Sequence, residues 1–149
     1  MFTPSNLEKD IDKIMGTPSA HKIVRFLTIW DSISFQNLGE FTDLSSSQIQ
    51  ATLNNLIDLG LVERLSKGVY HLTPSNFSEN LIAAYTTFHL QWIGYKLSSI
   101  NRLINENKLQ ESYHELELLT ARYRPFLDKY FTHQLSNISH AVLDQLQHS

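Results

Sequence analysis

The chain has 149 residues, with 12 Lys+Arg, 15 Asp+Glu, 7 His, no Cys and a net charge of −3. That length suits one domain, or a small one with an extension, and 42% hydrophobic with 11% aromatic residues is enough to build a core. The lack of cysteine excludes a disulfide framework, a thiolate zinc site and a cysteine nucleophile, while the acidic balance excludes a generically basic nucleic-acid binder and leaves that role to a local patch.

No run approaches ~18 consecutive apolar residues, the length a transmembrane helix needs. The first ten residues lack the basic and apolar regions of a secretory signal. The expectation is a soluble, cytoplasmic protein with no membrane partner.

Residues 1–16 form an amphipathic segment, with Leu7, Ile11 and Ile14 on one face and Gly16 at its end. Thr17 to Asp31 reads as a helix with Ile23, Phe26, Leu27 and Trp30 at helical spacing. Phe35 to Phe41 is a short helix carrying Leu38, with Gly39 at a position where elements end or turn. Ser45 followed by Gln48 fits a capping box, in which hydroxyl and amide each satisfy a backbone N–H. The helix it opens keeps Ile49, Leu53 and Leu56 on one face, and Gly60 stops it.

The period then changes. Leu61 to Leu65 and Val69 to Leu72 alternate, separated by Ser66, Lys67 and Gly68, which predicts a β-hairpin. From Pro74 onward the pattern is helical, with Ser75 and Ser78 as candidate caps. One long helix carries two apolar stripes: Leu81, Tyr85, Phe88 and Trp92, then Leu90, Ile93, Leu97, Ile100 and Ile104. A helix apolar on two sides has to be covered twice. Gly94 inside it is expected to mark a close helix–helix approach. After a polar break at Asn105 to Lys108, a further helix turns Tyr113, Leu116, Leu119 and Tyr123 inward. Pro125 separates it from a last helix carrying Leu127, Phe131, Leu135, Ile138, Val142 and Leu146.

The order of helix, short helix, capped helix and hairpin is that of a winged helix-turn-helix. Leu44-Ser45, Leu53 and Leu56, Gly60-Leu61-Val62-Glu63-Arg64, and Tyr70-His71-Leu72-Thr73 resemble the recognition helix and wing of the MarR and ArsR classes of prokaryotic transcription regulators. The resemblance covers about Thr17 to Pro74. It implies a mainly α fold with a small β-hairpin wing: an N-terminal helix at 1–16, a winged helix-turn-helix domain at 17–74, and a helical dimerisation region at 75–149. The function it implies is a DNA-binding transcriptional regulator acting as a homodimer on double-stranded DNA, with a recognition helix at about 46–59 in the major groove and a wing at 61–73 on the backbone.

With Ile49, Leu53 and Leu56 inward, the outward residues of that helix are Ser46, Ser47, Gln48, Gln50, Ala51, Asn54 and Asn55. Gln and Asn bond adenine in a bidentate way, Ser donates or accepts, and an Ala methyl packs on a thymine methyl. Lys67 at the hairpin tip and Arg64 at its base are the phosphate candidates. Unlike most helices of these classes, this one has no Arg or Lys, and Asp58 is acidic. The alternative is therefore a winged-helix module that binds protein and not DNA.

The remaining chemistry is sparse. His140, Asp144 and His148 follow at steps of four, with His133 nearby, but Asp–His pairs at this spacing are common on helix surfaces and His148 is next to the terminus. Neither a metal site nor a cofactor is expected. The nucleophile-elbow, P-loop, dinucleotide and zincin motifs are all missing, so no enzyme is expected. Tyr85, Phe88, Trp92 and Tyr95 are candidates to line a pocket for a small apolar effector between the winged domain and the dimer helices.

Overall fold

The computed structural model describes residue 13 and residues 15–147. Leu7, Ile11 and Ile14 of the first amphipathic segment lie outside the described residues, as does His148. The protein is mainly helical with a small three-stranded antiparallel sheet. It divides into two compact units, Met1–Tyr85 and Thr86–Ser149, and the division falls inside a long helix.

In the first unit, α1 runs Pro18–Ile29. Thr17 caps it by accepting a hydrogen bond from the Ala20 N–H at 3.3 Å, and Pro18 sits in the first turn, where its missing N–H costs nothing. A two-residue strand, β1 (Ile33–Ser34), leads directly into α2 (Phe35–Thr42), which Ser34 caps through the Asn37 N–H at 3.0 Å. Asp43 turns the chain with a left-handed φ of 60°. The next helix, α3, spans Ser46–Asp58 and opens with the expected capping box: the Gln48 N–H donates to Ser45 Oγ at 3.2 Å, and the Ser45 N–H donates to Gln48 Oε1 at 3.0 Å. Gly60, at φ 76°, sends the chain into β2 (Val62–Ser66), which pairs with β3 (Val69–Leu72). Sheet order is β1-β3-β2. The third strand was not visible in the alternation pattern, because two residues are too few to show a period.

The core of this unit joins Ile23, Val24, Phe26 and Leu27 of α1 to Leu38, Ile49, Leu53 and Leu56 of the next two helices, with Ile33, Val62, Tyr70 and Leu72 from the sheet. Gly39 lies in the middle of α2 and not at a turn. A Cβ there would meet Ile49 Cδ1 at 3.6 Å, an ordinary van der Waals contact, so this position faces α3 without requiring a glycine.

Three helices follow: α4 (Asn76–Asn105), α5 (Leu109–Tyr130) and α6 (Thr132–Gln147). Ser75 accepts from the Ser78 N–H at 3.0 Å as α4 begins. Within the second unit, Ile93, Leu97, Ile100 and Ile104 are buried with Leu116, Leu119, Tyr123, Phe126 and Leu127, and with Phe131, Leu135, Ile138 and Val142. His89 is buried among rings, 5.9 Å from Tyr123 and 5.5 Å from Phe126.

Several expectations for this region need correction. Tyr113 and Leu146 face solvent, at 54% and 49% exposure, and Leu90 is exposed while the rest of its stripe is buried. Pro125 does mark a division, as a kink two residues before it joins two helical segments. It lies inside α5, whose backbone leaves helical geometry at Tyr123 (φ −123°, ψ 21°). A proline clashes with the turn before it, so the bend appears upstream of the ring. A second break, not expected from the sequence, is at Phe131. Gly94 marks no close approach: a Cβ there would meet only Phe131 Cε1, at 4.0 Å. Among the described residues, no helix is long and apolar enough to cross a membrane.

Candidate nucleic-acid interface

The loop between α2 and α3 is only Asp43 to Ser45. The left-handed Asp43, the hydrogen bond from the Leu44 N–H to Thr42 Oγ1 at 3.3 Å, and the capping box hold the entry to α3 in one conformation. The helix buries Ile49, Thr52, Leu53 and Leu56. Ser46, Ser47, Gln48, Gln50, Ala51, Asn54 and Asn55 are all exposed, as their spacing predicts.

These side chains are not equally available. Gln48 Oε1 is used by the cap, and Ser47 Oγ lies 3.2 Å from Ser45 Oγ. Gln50 Nε2 donates to Asn54 Oδ1 at 3.0 Å. That amide pair is one turn apart on the exposed helix surface, and it leaves the Gln50 oxygen to accept and the Asn54 NH₂ to donate. A base edge such as adenine N6/N7 needs this combination. At 100° per residue, Asp58 falls on the same side as Ser47, Ala51 and Asn54, and it is exposed there.

The hairpin positions two cations. Lys67 and Gly68 form its turn, with Gly68 at φ 72°. The Phe35 N–H donates to the Gly68 carbonyl at 2.7 Å, and Ser34 pairs with Val69. The turn is thus tied to the start of α2, and Lys67 is carried on a fixed backbone. Arg64 stands opposite Tyr70, one residue before a bulge that leaves Leu65 54% exposed. Both cations are exposed, and neither joins an ion pair among the described residues. The neighbouring Glu63 carboxylate lies 2.9 Å from His71 Nε2.

A groove runs along α3 where Ala51, Thr52 and Asn55 face Lys13, Thr17 and Ser19. Nothing in the sequence pattern indicated this neighbourhood, because the contact depends on how α1 and α3 pack and not on any local spacing. Of the residues considered for a metal, His133 Nε2 lies 3.3 Å from Asn137 Nδ2. Among the described residues no three metal-ligating side chains converge. The effector candidates differ in exposure: Tyr85 and Trp92 are half-buried, whereas Phe88 and Tyr95 are 46% and 68% exposed.

In comparisons with known proteins, no family model, curated protein or solved structure matches this chain.

Proposed function

We propose that this protein is a DNA-binding transcriptional regulator of the winged helix-turn-helix type, acting in the cytoplasm as a homodimer. The observation that carries the reading is the outward face of α3. It is a rigidly capped helix after a three-residue turn, and its exposed amides form an oriented donor–acceptor pair. The element order α1-β1-α2-α3-β2-β3 supports it, as do the two exposed cations on the hairpin beside that helix in sequence. Dimerisation rests on the exposed apolar side chains of the second unit, among them Phe88, Leu90, Tyr95, Leu143 and Leu146.

One observation favours a second reading, a winged-helix module that binds protein. Residues 17–73 carry four basic residues (Lys22, Arg25, Arg64, Lys67) against five acidic ones (Asp31, Glu40, Asp43, Asp58, Glu63). Phosphate neutralisation supplies most DNA affinity, so this surface binds weakly unless contacts are doubled in a dimer.

Fluorescence anisotropy with pooled duplex fragments at low and moderate salt separates the two readings. If Arg64 and Lys67 of both protomers touch phosphate, about four contacts give a log–log salt slope of at least about −3.6. No binding at low salt supports the protein-binding module.

A further inference from the structure

The outward face of α3 carries no cation and ends in Asp58. DNA binding through it therefore draws its phosphate contacts from flanking elements. A helix ~10–12 Å across, lying in a groove about 12 Å wide, brings the phosphates of both strands against whatever flanks it. On the Ala51–Asn55 side, the flank is the groove whose other wall is Lys13, Thr17 and Ser19. Among the described residues, Lys13 is the only charged one lining this groove, and it is exposed. Ala51 contributes only a methyl group, so the wall nearest the base-reading residues is low. Lys22 is exposed three residues beyond Ser19, on the adjoining part of α1.

We propose that Lys13, with the Ser19 hydroxyl, holds a backbone phosphate of duplex DNA alongside α3, across the groove from Ala51 and Asn55. The inference rests on the DNA-binding reading and adds to it the missing phosphate contact on this flank. A lysine ammonium is a point charge suited to phosphate, and such a contact sets the register of the helix on the duplex without reading sequence. The α1 dipole is positive at this end and adds to the attraction for an anion. One Lys13 from each protomer raises the count from about four phosphate contacts to about six, so the wild-type salt slope steepens to about −5.4.

The test is the salt dependence of anisotropy-measured binding to a preferred duplex and to a random duplex. The variants are Lys13→Gln, Lys13→Arg and, as a control in the second unit, Lys108→Gln. Lys13→Gln should bring the slope back to about −3.6 and weaken both duplexes by the same factor. Lys13→Arg and Lys108→Gln should keep the wild-type slope. Wild-type binding with an unchanged slope in Lys13→Gln overturns this inference alone, as does a loss confined to the preferred duplex. Failure of the wild type to bind any duplex at low salt overturns the DNA-binding reading and this inference with it.

Discussion

The two units of the chain leave different surfaces behind when their cores close. Up to Tyr85 most elements are short, and among the described residues only Ile57, Leu65, Phe77 and Ile82 remain as large exposed apolar side chains. From Thr86 the stretch is shorter, yet Phe88, Leu90, Tyr95, Tyr113, Leu118, Tyr130, Leu143 and Leu146 are all exposed. The contrast separates two tasks. Among the described residues, the first unit leaves the more polar surface, which in the proposed function reads a polar partner. The second unit leaves more apolar surface exposed, which in the proposed function a second copy of the same chain covers.

The largest effects come from the cores. Leu53 and Leu127 are both fully buried, one in each unit, and replacing either with Ala should cost ~2–5 kcal/mol. The two tryptophans, Trp30 and Trp92, also fall one in each unit. In urea unfolding followed by fluorescence of single-Trp variants, Leu53→Ala should shift the Trp30 transition more, and Leu127→Ala the Trp92 transition. Equal shifts at both probes would mean one cooperative body and erase the distinction drawn between the units.

Next in size is self-association. Phe88 and Tyr95 lie seven residues apart on one side of α4, opposite the buried Ile93, Leu97, Ile100 and Ile104. Burying one such side chain contributes ~1.5–3 kcal/mol. Phe88→Glu should therefore weaken the dimer at least about tenfold in light scattering, with helix content retained. A wild-type protein that stays monomeric at micromolar concentration contradicts this half of the comparison.

A smaller effect tests the local devices. Ser45→Ala removes a side-chain cap that α3 uses, at a cost of ~0.5–2 kcal/mol. Lys108, at the corresponding position of α5, makes no side-chain cap bond, so Lys108→Ala should stay within about 0.5 kcal/mol of wild type. The smallest effect depends on pH. Tyr85 Oη lies 3.0 Å from His21 Nδ1, and burial pushes its phenol above the usual value, opposed by the nearby Arg25 charge. The folded state thus favours the neutral phenol. Its contribution is complete below the unfolded value near 10 and is lost as pH rises through the higher folded value. Tyr85→Phe should flatten this alkaline loss in unfolding measured between pH 8 and pH 11.

Local signals made much of the first unit legible. Ser45 with Gln48, Gly60 and Gly68 each act within a few residues, so spacing alone located the cap, the helix stop and the hairpin turn. In the second unit, apolar residues occur on several sides of each helix, and period alone could not decide which side faces the core. Tyr113 and Leu146 share the inward spacing yet face solvent for that reason, and Leu90 falls at the stripe's spacing without joining its buried face. Pro125 was recognised as a disruption, but its effect falls at Tyr123. Around α3, the outward positions were readable from sequence. The pairing of Gln50 with Asn54 and the neighbourhood of Lys13 and Ala51 needed the folded chain.

The most direct test of DNA reading by α3 is the ratio of affinities for a preferred and a random duplex, with the preferred one selected from a random pool by the wild-type protein. Asn54→Ala removes the exposed donor of the amide pair without disturbing the cap. Loss of a base contact worth about 1–3 kcal/mol should lower that ratio by about 5- to 150-fold per half-site while leaving random-duplex affinity unchanged. An unchanged ratio, or no selectable preferred duplex, would contradict the assignment of α3 as the reading helix.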